Sequence, residues 1–498
     1  MVNLLCLYLI CAIALFKFII RLLQKIFISI VMCHNKWVNM KFKRQYNKKA
    51  FFYFELCLSC TIFALMIPID KNILKLAIPS IISNITVPLI GLVDLTIIGH
   101  IGSASYIGAI SVGTMIFNVI YWMFGFLRMG NSGMASQALG RRDNKTLRQL
   151  LVRSMIIAIS IGSSLIILQH PLRELAIWAI SPSKDVISLT AVYFNICIWG
   201  APAVLSLYGL NGWFIGMQNT KMPMYVAILQ NIINVIFSLL FVLVFKMKIE
   251  GVAYGALIAQ WSGWAIAMFF VMKRVKLIQG FGKTHIVLKW MDIFSVNRDI
   301  FIRTLFLVSV NLSFIAVGAR HGDIILSVNT LLMTFFTIFS YIMDGFAFAA
   351  EALCGKAYGE QDKAKFSLTV SRLMRWGLYM AIAFTLLYIC GGHNFLALIT
   401  NNKDVIAAAS PYMLWAMLIP ICGFMAFVFD GIYIGSTATR YMLISSFIAT
   451  ISFYSVYFSL ESKFGNHALW IAFILFLLMR GVIQQTLLNK VKTKIVQL

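Results

Sequence analysis

The chain is poor in charge, and poorest in acid. Of 498 residues only 17 are Asp or Glu, and the four charged types together make up 12%, about half the share found in a soluble domain. An ordinary soluble fold is excluded on that ground. Proline is sparse too, with nine residues, and no HExxH, Walker loop or GxSxG motif occurs. Nothing therefore argues for an enzyme built on those chemistries. Nine cysteines are scattered along the chain, mostly inside apolar runs. Cys57-Leu-Ser-Cys60 is a lone CxxC with no second pair, too little for a metal or redox centre. No cofactor and no metal are expected.

What is present is hydrocarbon. Hydrophobic residues make up 61% of the chain, in recurrent runs of about 20 residues, each long enough to cross a bilayer as a helix. The runs are continuously apolar rather than alternating, which favours helices over a barrel. A net charge of +25 would suggest nucleic acid in a soluble protein. Here the Lys and Arg gather in loops on one side of a membrane, so the lipid bilayer is the expected partner and nucleic acid is not.

The apolar runs predict twelve spans in two sets of six: 73–98, 107–139, 150–168, 186–208, 222–245 and 252–272, then, after a polar linker at 273–299, 300–318, 324–352, 371–390, 404–428, 442–460 and 467–488. Runs 107–139 and 324–352 exceed the bilayer thickness and should tilt or project beyond it. Basic residues cluster after the even-numbered spans: Arg141, Arg142, Lys145 and Arg148; Lys273, Arg274 and Lys276; Lys356, Lys363 and Lys365; Lys490, Lys492 and Lys494. The positive-inside rule places those loops and the C-terminus in the cytoplasm. A multi-pass protein of the plasma membrane, or of the inner membrane of a bacterium, is expected.

The chain also repeats itself. Asn211-Gly-Trp-Phe-Ile-Gly216 matches Asp430-Gly-Ile-Tyr-Ile-Gly435, and at the same offset of 219 residues Thr220-Lys221 matches Thr439-Arg440, Gly140 matches Gly359, Asp143 matches Asp362 and Tyr193 matches Tyr412. One constant offset through separate motifs implies duplication. Six spans is an even number, so the halves run parallel, as in transporters that hold substrate at the repeat interface. The expected lobes are residues 66–284 and 285–498. Residues 1–65 do not fit this plan. Their apolar stretches flank a basic cluster at Lys41, Lys43, Arg44, Lys48 and Lys49 that would face outward if both stretches spanned. They read as an N-terminal extension, either dispensable or not native, with an extra anchor helix as the alternative.

Several stretches together resemble the multidrug and toxic compound extrusion (MATE) family, and within it the DinF-type branch. They are Ala77-Ile-Pro79 through Pro88-Leu-Ile-Gly-Leu-Val-Asp94, Phe124-Gly-Phe-Leu-Arg128-Met-Gly130, Asp344-Gly-Phe-Ala-Phe-Ala-Ala-Glu351-Ala-Leu353, and Asp430–Gly435. The resemblance spans about residues 66–490. It implies an all-α antiporter of two six-helix lobes that opens alternately to each side, driven by a proton or sodium gradient, exporting mainly cationic or amphipathic organic compounds. The protein is expected to work as a monomer.

Specific residues stand out. A carboxylate within a span costs roughly 2.5–3.5 kcal/mol on insertion scales, so Asp94 needs a reason. A buried carboxyl can load and release a proton, and Pro79, fifteen residues earlier, permits the helix to bend. The resemblance implies that the two act together. The bland alternative is an aspartate solvated at the helix end. Where the family often has Asn-x-x-x-Asp in the fifth span, this chain has Asn234 and Ser238, and Ala256 stands where Thr is frequent in the sixth. Missing oxygens weaken a sodium cage, since hard cations want about six. With Tyr193 as further polar company, proton coupling is favoured over sodium. Arg128, Asp344 and Glu351 lie in the two long spans that line the lobe interface in the family. An ion pair between lobes is one reading, and snorkelling of Arg128 to the headgroups is the other. Asp430, read as the end of the tenth span beside a Gly-rich turn, is a candidate for gating or for stabilising that turn. A lipid-linked saccharide flippase of the same superfamily would need several basic residues in the cavity, where only Arg128 is evident.

Overall fold

The computed structural model describes residues 68–99, 104–276, 290–400 and 402–495. Asn72–Leu498 form one compact unit. Residues 1–65, with the CxxC at 57–60, and the boundary at 284–285 lie outside the described residues.

All regular elements among the described residues are helices. In the first half they are α1 (Pro68–Gly99), α2 (Ala104–Met123), α3 (Phe126–Gly140), α4 (Asn144–Ile167), α5 (Gln169–Ile180), α6 (Lys184–Cys197), α7 (Ala201–Gly216), α8 (Lys221–Leu239) and α9 (Ile249–Lys276). In the second half they are α10 (Trp290–Arg320), α11 (Asp323–Gly359), α12 (Lys363–Ile399), α13 (Lys403–Ala409), α14 (Met413–Gly435), α15 (Thr439–Phe464) and α16 (Asn466–Lys494). Eleven stretches among the described residues are long and apolar enough to cross a membrane. With the 32-residue α1 before them, they account for the twelve expected spans.

The helices outrun the apolar runs that predict them. α11 has 37 residues, about 55 Å at 1.5 Å per residue, so it projects well past a hydrocarbon core of about 30 Å. The linker expected at 273–299 is shorter than its polar composition suggested, because α9 continues to Lys276 and α10 begins at Trp290. The second span breaks at Phe124-Gly125, where both N–H groups bond three residues back, to Tyr121 and Trp122. The fourth and tenth spans each contain one tight turn, Ile198–Gly200 and Ser410–Tyr412. Pro202 and Pro411 sit at these turns, where a residue without an N–H is tolerated.

The sequence repeat is also a backbone repeat. α3 and α11 end alike: Arg142 and Gln361 are left-handed (φ 57° and 58°), and the N–H groups of Asp143 and Asp362 reach back to Ala138 and Ala357. This closure satisfies carbonyls that a helix end leaves open. Each aspartate then caps the next helix, accepting from Thr146 N at 2.9 Å and Lys365 N at 2.8 Å. α7 and α14 also end alike, with Gln218 and Thr437 left-handed. Every one of these pairs is 219 residues apart.

Within the first half α7 packs on α3 and α4, and α8 on α9. Within the second, α14 packs on α11, α12 and α16, and α15 on α16. Small residues set the closest crossings, as lipid-embedded helices require. Gly212 lies on the backbone of Arg128 and Gly431 on that of Ala347, while Gly435 lies on the backbone of Glu351. The halves meet chiefly where α11 packs on α3, with α10 and α14 also touching α3. There Gly140 faces the Lys356 carbonyl and Gly359 the Gln137 carbonyl, and Gln137 Nε2 donates to Gly435 O at 2.9 Å.

A side chain at Gly431 would run into the α11 backbone, whereas nothing lies near Gly391 in α12. Gly431→Ala should therefore cost about 1–3 kcal/mol by overpacking and lower the melting temperature of the purified protein. Gly391→Ala should leave it unchanged or raise it. Equal melting of both variants would contradict the close crossing.

Candidate functional site

Asp94 lies near the C-terminal end of α1, buried at 3% exposure. Its helix carries both Pro79 and Pro88 internally. α1 is tied to its neighbours by Thr220 Oγ1 donating to Leu76 O (2.9 Å), Asn231 Nδ2 to Thr86 O (2.8 Å) and Asn84 Nδ2 to Tyr341 O (3.0 Å). The Asn84 bond crosses to the second half.

The side chains around the Asp94 carboxyl come from α6 and α8. Asn234 and Ser238 lie beside it, both fully buried, four residues apart and hence on one face of α8. Tyr193 and Cys197, likewise four apart on α6, are within electrostatic reach. Tyr193 fills the space next to Gly113, and Gly255 of α9 lies against Ser238. Asp94 Oδ1, both amide atoms of Asn234 and the Ser238 hydroxyl complete no hydrogen bond within normal geometry. They face one another as the neighbours of a single carboxyl, and polar atoms so loosely paired are costly in a buried site. The sequence reading named Asp94, Asn234, Ser238 and Tyr193, and the structure groups them. It missed Cys197 and Gly255, because a cysteine or glycine in an apolar run carries no sequence signal of its own. Ala256, the position considered in the sixth span, is buried, but its neighbour Gly255 is the residue that faces Ser238.

The second cluster lies on the seam between halves. Arg128 Nη1 reaches Glu351 Oε2 at 3.1 Å and Oε1 at 3.3 Å. Its guanidinium stacks 4.0 Å over Phe348, and Ser132 Oγ donates to the same carboxylate. The arginine thus turns to the partner half rather than to the headgroups. Ser132 and Glu351 are repeat equivalents, 219 residues apart, so the two halves touch at matching positions. Asp344, which was considered together with Glu351, does not take Arg128 as its partner; it lies within electrostatic reach of Arg128, Arg303, Asp430 and Glu351.

Asp430 corrects the sequence reading. It is not in a turn: α14 continues to Gly435, because Gly431 and Gly435 serve close helix packing rather than chain reversal. Asp430 is buried and bonded by Arg303, by Arg480 Nη2 (2.6 Å) and by Gln484 Nε2 (2.8 Å). Arg303 and Arg480 were overlooked, although an arginine inside an apolar run was the signal that could have found them. Among the described residues no group of His, Cys, Asp and Glu could hold a metal ion.

Paired helical halves, a glycine-lined seam and carboxyls buried within the spans are the features of a membrane transporter of two repeats. The chain matches the MatE family over residues 79–240 and 300–457 and belongs to it, a family of multidrug and toxic compound efflux transporters. It is 33% identical over 417 residues to DNA damage-inducible protein F of Escherichia coli K12, covering 83% of this chain and 90% of that protein. It is 23% identical over 431 residues to Protein DETOXIFICATION 44, chloroplastic, of Arabidopsis thaliana, covering 83% and 81%. Among solved structures, a MATE in the bent conformation superimposes with a TM-score of 0.76 at 18% identity, covering 86% of this chain and 97% of that one. An outward-facing multidrug resistance MATE transporter of the MOP superfamily gives 0.73 at 17%, with the same coverage. These likenesses establish the fold.

Glu351 is 1% exposed and Arg128 15%. Removing one partner of such a pair costs about 3–5 kcal/mol, because the other charge is left buried alone. Arg128→Met should therefore lower thermal stability more than the double variant Arg128→Met/Glu351→Met. Thermal unfolding of the three proteins in one detergent checks this, and additive losses would show that the pair is not coupled.

Proposed function

We propose that the protein is a proton-driven antiporter that exports organic compounds, cationic or amphipathic, by alternating access between two lobes, residues 66–284 and 285–498. The loops after the even-numbered spans and the C-terminus face the cytoplasm in this reading, since basic residues concentrate there. The seam of α3 and α11 then closes the cytoplasmic side, and the Arg128–Glu351 pair is its polar latch.

The observation that carries the proposal is the Asp94 site. Among the described residues the carboxyl is buried beside neutral groups, with no countercharge in contact, and a lone charge is expensive there. It is therefore held with a proton or with a bound cation. A sodium ion wants about six oxygens and favours several carboxylates. The neighbours supply one amide, one hydroxyl and one phenol, which supports the proton. Protonation alters how α1, which carries Pro79 within it, packs against α8 and α11. Substrate must prefer one protonation state, because a ligand shifts a conformational equilibrium only by its differential affinity for the two states.

A second reading, the lipid-linked saccharide flippase, draws support from the buried Arg303 and Arg480. Both are bonded to Asp430 and so are not free to hold a pyrophosphate, which favours the export of organic compounds.

Asp94→Asn mimics the protonated carboxyl with little change of shape. In vesicles with an imposed pH gradient, this variant should lose gradient-driven dye efflux while retaining dye binding. Efflux equal to that of the parent would remove Asp94 from the coupling role. Efflux by the parent that follows a sodium gradient and ignores pH would replace the proton with sodium.

A further inference from the structure

A cavity of about 480 Å³ opens beside the seam, between the α2–α3 break, α4 and the start of α10. Its walls come from both halves. Phe124, Phe126 and Ile161 belong to the first, Phe301 and Arg298 to the second, and Phe126 meets Phe301 edge-on with centroids 6.0 Å apart. The volume is within the range of ligand sites, about 300–1,000 Å³.

The cavity is charged at one end and apolar at the other. Phe294 opens the apolar span of α10, and Arg298 lies one turn further on, about 6 Å in, where its long stem lets the guanidinium reach the headgroups. Ile161 is about 25 Å along α4 from its start at Asn144, well inside the hydrocarbon. Arg298 thus marks the charged end, near the start of the apolar span of α10, and Ile161 the apolar end, deeper along α4. Arg298 is held in place by one bond from Nη2 to Asp299 Oδ1 (3.2 Å), yet its side chain is 56% exposed. A guanidinium has five N–H donors, so most remain for a second anion. Next to it, Asn297 lines the same cavity, its Oδ1 packed against Gly130 of α3.

We propose that this cavity binds one anionic phospholipid of the cytoplasmic leaflet, with its phosphate on Arg298 and an acyl chain between the phenyl rings. The leaflet rests on the orientation proposed above; the site itself does not. Because its walls belong to both halves, the site is complete only while the α3–α10–α11 seam is closed. A bound lipid therefore favours the closed seam by its differential affinity for the two states. The net charge of +25 concentrates anionic lipid around the protein.

Native mass spectrometry of the full chain, offered equal amounts of phosphatidylglycerol and phosphatidylcholine, tests this independently of transport. The parent should retain one phosphatidylglycerol in preference to phosphatidylcholine. Arg298→Gln should weaken that retention about fivefold, the contribution of one basic residue at an anionic surface, and Ile161→Trp, which fills the deep end, should reduce retention of both lipids. Equal retention of phosphatidylglycerol by parent and both variants would overturn the site. Loss with Ile161→Trp alone, indifferent to headgroup, would overturn the anionic lipid in favour of a neutral amphiphile such as a transported compound.

Discussion

A carboxylate surrounded by protein at membrane depth has no water to turn to, so every partner must come from the chain, and Glu351 finds its partners across the seam. Arg128 and Ser132 both reach it from the first half. Those contacts form only if α3 and α11 approach closely, and that approach depends on Gly140 and Gly359 lying on the opposite backbone. Shape and charge thus specify one another: the glycines permit the approach and the ion pair makes separation costly. In the proposed transport cycle such a pair would serve as a latch, because a buried pair adds little net stability over an apolar contact yet is sensitive to what partner each charge can find.

The two charged clusters divide the work differently in the two halves. In the first, Asp94 has no countercharge among the described residues and lies beside the neutral Asn234 and Ser238. In the second, Asp430 is fully engaged by two arginines and a glutamine. Duplication supplied Asn211 and Asp430 at matching positions, and only the second half built an ion network there. Asp344 is within electrostatic reach of both that network and the inter-half pair.

Most of the fold was legible because hydrocarbon imposes a simple rule: spans must be long, apolar and helical. The offset of 219 residues was legible because paired helix ends need the same closure, down to the capping Asp143 and Asp362. Helix ends were not, since α9, α10 and α11 continue into polar sequence once packing and caps satisfy their last turns. Asp94 and Arg128 stood out as charges in apolar runs. Arg303 and Arg480 carried the same signal, but they lay outside the stretches that resemble the family. Cys197 and Gly255 had no signal at all, for their importance lies in who stands next to them. Asp430 was misjudged because glycine beside it reads as a turn in solution and as close packing in lipid.

The central claim is that Asp94 controls the seam at a distance. Spin labels at positions 142 and 361, the matched left-handed turns that end α3 and α11, report its opening in reconstituted protein. Distance distributions recorded over a range of pH should show a short and a long population whose ratio shifts with pH in the parent and is insensitive to pH in Asp94→Asn. The same pH-dependent shift in both proteins would contradict the account.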